Sequence, residues 1–221
     1  AQSMREQGFG VVHSLLQDGI ARGSGFVVAL SDESSDADRL IETNASQCFS
    51  FQKSRQSSQS YPGSLMGSMA LLRQMYHDVN WHKNNASGTD QTLDALLANI
   101  KKPAFFEAGD NANALRASSI GSQFNQEYVI VGATDGYEYL DQLSKTNSQF
   151  VLPINFPEAY DVSDPYYSAQ LSLEDLRRWN QAPMNPAKFA EQNIEFSLST
   201  HELKSPTSFA KHLSRAIEYE I

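Results

Sequence analysis

Cysteine is almost absent from this chain of 221 residues, with Cys48 the only one. A lone thiol can build neither an internal disulfide nor a cysteine-based zinc site, so a disulfide framework and a zinc ribbon are both excluded. Basic residues are also few: 17 Lys and Arg face 26 Asp and Glu, for a formal net charge of -9. Such a chain repels phosphate backbones, and no cluster of Lys and Arg offsets this, so nucleic acid is not an expected partner. No uninterrupted apolar run approaches the ~20 residues of a membrane helix, so membrane insertion is not expected either. The phosphate loops Gly-x-Gly-x-x-Gly and Gly-x-x-x-x-Gly-Lys-Ser/Thr are missing, which removes the usual landmarks of open nucleotide-binding sheets. Ser64 lies between Pro62 and Met66, where a nucleophile elbow needs glycines, and a serine hydrolase is discarded. The start, Ala1 to Gly8, has no charged segment followed by an apolar one, and the expectation is that any signal peptide is absent or removed.

What the chain does have is a rhythm. Pro103–Ala108, Tyr128–Ala133 and Phe150–Phe156 are short apolar runs separated by helix-like segments. Continuous apolar runs of this length describe strands covered on both faces, as in consecutive β-α units. Strand-helix alternation predicts a parallel sheet with right-handed crossovers, and the length suits one domain, 1–221, curled as a barrel.

Earlier in the chain, Phe9–Ser14 predicts a strand closed by the Asp18-Gly19 turn, Phe26–Leu30 a second, and the alternating Cys48–Phe51 a third. Ser31–Asp38 reads as an exposed turn, Gln52–Ser60 as a loop, and Asn84–Gly88 as a polar break. Apolar residues at three- and four-residue spacing from Leu65 to Val79 predict a helix ending near Trp81. Thr89 or Asp90 caps a second helix running to Ile100. Further helices are expected over Asn111–Phe124 and Tyr137–Thr146, then a long loop over Pro157–Pro165. Ser172 opens a capped helix, Pro186 a short one, Ile194–Thr200 is the last strand, and Ser205-Pro206 begins a closing helix.

Several long stretches resemble one family: Gly8–Ser31, Ser64–Gln74, Tyr128–Gly136, Val151–Val162 and Phe196–Lys204. Together and in order, they are similar to exported, imidazolonepropionase-like proteins of the amidohydrolase superfamily. The resemblance implies a (β/α)8 barrel, here partial and parallel, with its first strand missing and a β-hairpin excursion near residues 20–60. It implies a fragment of a longer, periplasmic or secreted protein. Family members use zinc or another divalent metal to activate water against C–N bonds. The metal sits on a His-x-His pair, two single histidines at strand ends, and a final Asp. This chain has no His-x-His; where the single histidines would stand it offers Glu107 and Gly132, and at the place of the Asp, His201. The resemblance therefore implies a ligand-poor half, with no cofactor expected in this chain and a companion amidohydrolase domain of the same polypeptide as partner.

The candidate cleft positions are the polar residues where the apolar runs end: Glu107, Asp110, Gly132, Asp135, Asn155 and His201, since parallel α/β folds bind ligands beyond the carboxyl ends of their strands. Each also has a plain structural reading. Asp110 can cap the helix at Asn111, Glu107 can pair with a basic neighbour, and His201 can occupy a strand-end turn. His77 and His82 are five apart, share no helix face, and are expected on a helix surface. Three functions follow: a scaffold or partner domain that has lost its metal ligands, a metal-dependent hydrolase completed by missing segments, or a module that binds peptide or carbohydrate on an acidic rim with Tyr61, Tyr160, Tyr166, Tyr167 and Trp179.

Overall fold

The computed structural model describes residues 2–32, 35–85 and 88–219; the expected turn at 31–38 and the polar break at 84–88 fall partly outside them. The chain is a mixed α/β fold that divides into two compact units, one of Ala1–Ala108 with Arg116–Ile130, the other of Gly109–Leu115 with Val131–Ile221.

The first unit begins with a short helix α1 (Gln2–Glu6) and strands β1 (Val11–Ser14) and β2 (Ala21–Ala29), followed by α2 (Asp36–Arg39) and β3 (Leu40–Ser50). Two long helices follow, α3 (Leu65–Asn85) and α4 (Gln91–Asn99), and then β4 (Ala104–Glu107). Helix α5 (Asn111–Gln123) and strand β5 (Tyr128–Val131) carry the chain across the division between the units. β1 pairs with β2 and β2 with β3 antiparallel, whereas β3 and β4 are parallel. The expected all-parallel sheet is therefore wrong for its first three strands. Connection length is the physical reason. Residues 15–20 leave no room for the crossover that a parallel pair needs, while the β3–β4 connection holds α3 and α4. The β2–β3 pair falls where the hairpin excursion is expected, but both strands are longer than the apolar runs at 26–30 and 48–51, with register shifts along their pairing.

Side-chain removal makes one long reach possible. A Cβ on Gly25 of β2 would lie 2.3 Å from His13 Nε2, so only glycine leaves the space through which His13 of β1 meets Ser46 Oγ of β3 at 2.7 Å. The core of this unit is aromatic: Phe49, Tyr76, Phe106 and Tyr128 are buried together, with the Tyr76 and Tyr128 hydroxyls 2.5 Å apart. Asp90 caps α4 by accepting from the amides of Thr92 and Leu93. His82 is not on the helix surface as expected. It is buried, with Nε2 2.7 Å from Asp94 Oδ1, and ties α3 to α4, while His77 is exposed.

The second unit continues with α6 (Leu140–Leu143), β6 (Gln149–Pro153), α7 (Pro165–Ser168), α8 (Leu173–Gln181), α9 (Asn185–Glu191), β7 (Phe196–Ser199) and α10 (Phe209–Ile217). β6 and β7 are parallel, and their connection holds three helices. The single helix expected over Tyr137–Thr146 is instead broken into 3-10 turns around α6. Ser172 and Asp175 form the expected capping box of α8, in which the Ser172 hydroxyl accepts from the Asp175 amide and the Asp175 carboxylate accepts from the Ser172 amide. The core of this unit gathers Ile154, Phe156, Ala182 and Ala216, with Leu198, Leu203, Phe209 and Leu213 packed against it.

Candidate functional site

Five of the six expected cleft residues lie in the second unit and one, Glu107, in the first. Glu107 ends β4, and its carboxylate is taken: Arg22 Nη1 donates to Oε2 at 2.6 Å and Nη2 to Oε1 at 3.4 Å. The Arg22 side chain is 1% exposed and its Nε donates to the Gly19 carbonyl at 3.0 Å. A guanidinium this deeply buried needs an anionic partner, so Glu107 serves the fold by neutralising Arg22.

In the second unit the loop after β5 is built on close backbone contact. Gly132 has φ +124, and a Cβ there would come within 2.5 Å of the Gly109 nitrogen and 2.7 Å of its oxygen. The Gly109 amide donates to the Val131 carbonyl and its carbonyl accepts from the Thr134 amide. Position 132 is filled by the neighbouring main chain, so no side chain of any kind fits there. Asp135 follows at once. Its Oδ1 accepts from the Asn111 amide at 2.7 Å, which satisfies a free donor of the first turn of α5. Asp110 caps the same helix, with Oδ1 accepting from the Asn113 amide at 2.7 Å. Both carboxylates thus hold the start of α5, Asp110 also accepting from Asn113 Nδ2 through Oδ2 at 3.0 Å, and both residues line the cleft described below.

Asn155 and His201 lie beyond the ends of β6 and β7. Asn155 Nδ2 donates to Glu202 Oε2 at 2.8 Å, and His201 Nε2 is 4.0 Å from Glu202 Oε1. Glu202 has φ +62, a left-handed turn that aims its carboxylate back at Asn155.

A polar cleft of about 820 Å³ opens beside these loops, lined by Asp110, Asp135, Tyr137 and Glu138 and by Glu174, Arg177 and Arg178 of α8. A small cavity of about 90 Å³ adjoins it, lined by Asn155 and Glu202 and sharing Thr134 and Arg178 with the cleft. Burial raises the Tyr137 hydroxyl above its ordinary pKa, the carboxylates of Glu138 and Asp135 add to this, and Arg178 opposes it. The phenol therefore stays protonated and can donate. Buried Asn185 supports the cleft from below, accepting from the Tyr137 amide at 2.8 Å and donating to the Ala133 carbonyl at 2.9 Å.

The structure thus brings Asp110, Gly132 and Asp135 together at one loop pair, joins Asn155 to the His201–Glu202 turn, and gives Glu107 to Arg22. Sequence reasoning missed Arg177, Arg178 and Asn185. The adjacent arginines one turn into a capped helix were the available signal, whereas nothing local marks Asn185, which acts on a carbonyl 52 positions away. The expected aromatic rim does not line the cleft: Tyr160, Tyr166 and Tyr167 are exposed outside it.

Among the described residues no three His, Cys, Asp or Glu side chains converge to hold a metal.

The fold is similar to the crystal structure of an amidohydrolase from Thermotoga maritima MSB8, with a TM-score of 0.74 at 17% identity over 99% of this chain. This chain spans 58% of that protein's length. At such identity the likeness is one of fold alone. No protein-family model matches the sequence, and no curated protein does.

Proposed function

We propose that this chain is the ligand-poor portion of an amidohydrolase-like barrel and acts as a scaffold or partner for a hydrolytic portion of the same longer polypeptide. The observation that carries the reading is Gly132. At the position where the family resemblance asks for a histidine ligand, the Gly109 backbone already occupies the space that a side chain would need. Glu107, at the other strand-end ligand position, is committed to Arg22, and withdrawing it would leave a buried guanidinium without its counter-ion. Both replacements are built into the packing, which supports a lasting structural role.

The companion reading rests on the fold likeness, in which the neighbour's chain is considerably longer. The imidazolonepropionase-like and exported character, with a periplasmic or secreted location, rests on the sequence resemblance, and cell fractionation tests it.

The direct test is metal analysis of the purified chain after dialysis, together with assays on N-acyl and cyclic amide substrates with zinc or manganese added. Substoichiometric metal and no turnover are expected. One tightly held equivalent of metal, with turnover abolished by Glu107→Gln, overturns the proposal in favour of a C–N hydrolase. For the partner role, mixing with or fusion to the adjoining segments should raise the melting temperature, and an unchanged value counts against it.

A further inference from the structure

The polar cleft of the second unit has an unusual electrical arrangement. Arg177 and Arg178 line it from α8, and neither has a hydrogen bond or ion pair among the described residues. Carboxylates line the same cleft: Asp110 and Asp135, whose other contacts are amide donors at the start of α5, and Glu138 and Glu174, neither with an ion pair among the described residues, Glu174 on α8 beside the arginines. Opposite charges face one opening of about 820 Å³ without closing on each other. On a flat surface long side chains of opposite sign lose little by staying apart, because water screens them. In a concave site the walls exclude part of that water and focus the field, so separated charges attract a ligand that carries both signs.

We infer that this cleft binds a small zwitterion, of amino-acid or dipeptide size, with its carboxylate on Arg177 and Arg178 and its cationic group on the carboxylates of Asp110, Asp135 and Glu138. Guanidinium suits the first role because its fork of donors matches a carboxylate two oxygens at a time. The protonated Tyr137 hydroxyl adds a donor on the acidic wall, which keeps that wall from being purely an anion field. The adjoining cavity of about 90 Å³, with Asn155 and Glu202, has room for a small polar end group beyond Arg178. A doubly acidic ligand meets repulsion from four carboxylates, Glu174 included, and a purely cationic one leaves both arginines without a partner. The inference stands independently of whether the chain hydrolyses anything.

The test is isothermal titration of the whole chain with three matched probes: 6-aminohexanoate, hexanoate and hexylamine. Binding of 6-aminohexanoate at least about tenfold tighter than either singly charged probe is expected. The Arg177→Gln/Arg178→Gln double variant changes exposed residues of a helix whose capping box is untouched, and it should weaken 6-aminohexanoate about tenfold or more. Glu138→Gln should weaken hexylamine and 6-aminohexanoate alike, with circular dichroism showing each variant folded. Equal binding of the singly charged probes, an unaltered affinity in the arginine variant, or no heat with 6-aminohexanoate at millimolar concentration each overturns the inference. Because none of these readouts is turnover, failure here leaves the scaffold reading intact, and detection of hydrolysis leaves this one intact.

Discussion

Replacing Gly132 by alanine puts the packing argument at its most exposed. The added methyl carbon lies 2.5 Å from the Gly109 nitrogen, 2.7 Å from its oxygen and 2.8 Å from its Cα, all of them backbone atoms that cannot rotate away. The φ of +124 is also one that side-chain-bearing residues rarely adopt, which costs about 1–3 kcal/mol. To make room, the loop at Gly109 must move, and two backbone hydrogen bonds, from Gly109 to Val131 and from Thr134 to Gly109, stretch or break. At roughly 1 kcal/mol net for each bond, the change should cost about 3–5 kcal/mol in all. Gly109→Ala is the internal control: its φ of +78 is also left-handed, but nothing lies within 4 Å of the new atom. That variant should lose only the conformational term, about 1–2 kcal/mol. Urea denaturation followed by circular dichroism measures both. The expected gap is about 2 kcal/mol or more, or roughly 4–8 °C in melting temperature for a chain of this size. If Gly132→Ala proves no more destabilising than Gly109→Ala, the strand-end position is not closed by the main chain and the case for a lost ligand there fails.

Glu107→Gln leaves the Arg22 guanidinium buried without a counter-ion and should cost about 3 kcal/mol, whereas the double change Glu107→Gln with Arg22→Met should recover much of it; a double-mutant cycle with no coupling refutes the pairing. Tyr76, pushed up to about 12 by burial, and Tyr128, raised further for the same reason, stay protonated in the fold. The unfolded phenols ionise near 10, so stability should be steady below that pH and fall as pH rises from about 10 toward 12. Tyr76→Phe should lessen the fall, and an unaltered profile in the variant contradicts the assignment. Burial holds His13 below its ordinary pKa, so its contribution is present above about 6.5 and lost as pH drops below that value. The urea midpoint should fall between pH 7 and 5 in the native chain and fall less in His13→Asn, and equal losses in the two proteins speak against it.

Local features were the legible ones. Asp90 and the Ser172–Asp175 box announce helix starts because capping is a contact between residues two or three positions apart. The apolar runs at 104–107, 128–131 and 149–153 are strands because both faces of each must be covered. The plain readings of Glu107 and Asp110, as a partner for a base and as a helix cap, match where the structure places them. β2 was less legible: Arg22, Gly23, Ser24 and Gly25 look like a loop, and they form strand because pairing of this stretch to β3 supplies what their own preferences do not. The helix expected at Tyr137–Thr146 breaks near its start, where Gly136 packs against Phe189 and Leu143 with no room for a Cβ.

The amino-acid order alone marked the strands at 104–107, 128–131, 149–153 and 196–199 and most of the longer helices, and it holds a single cysteine and no Gly-rich phosphate loop. Periodicity and capping are short-range, so they can be read without knowing where the chain goes next. Only the folded arrangement decided that β1, β2 and β3 run antiparallel, that Arg22 takes Glu107 from 85 positions away, and that the backbone at Gly109 fills the space at Gly132. A buried charge finds its partner, and a backbone its contact, by proximity in space, and that proximity comes from packing the whole chain at once.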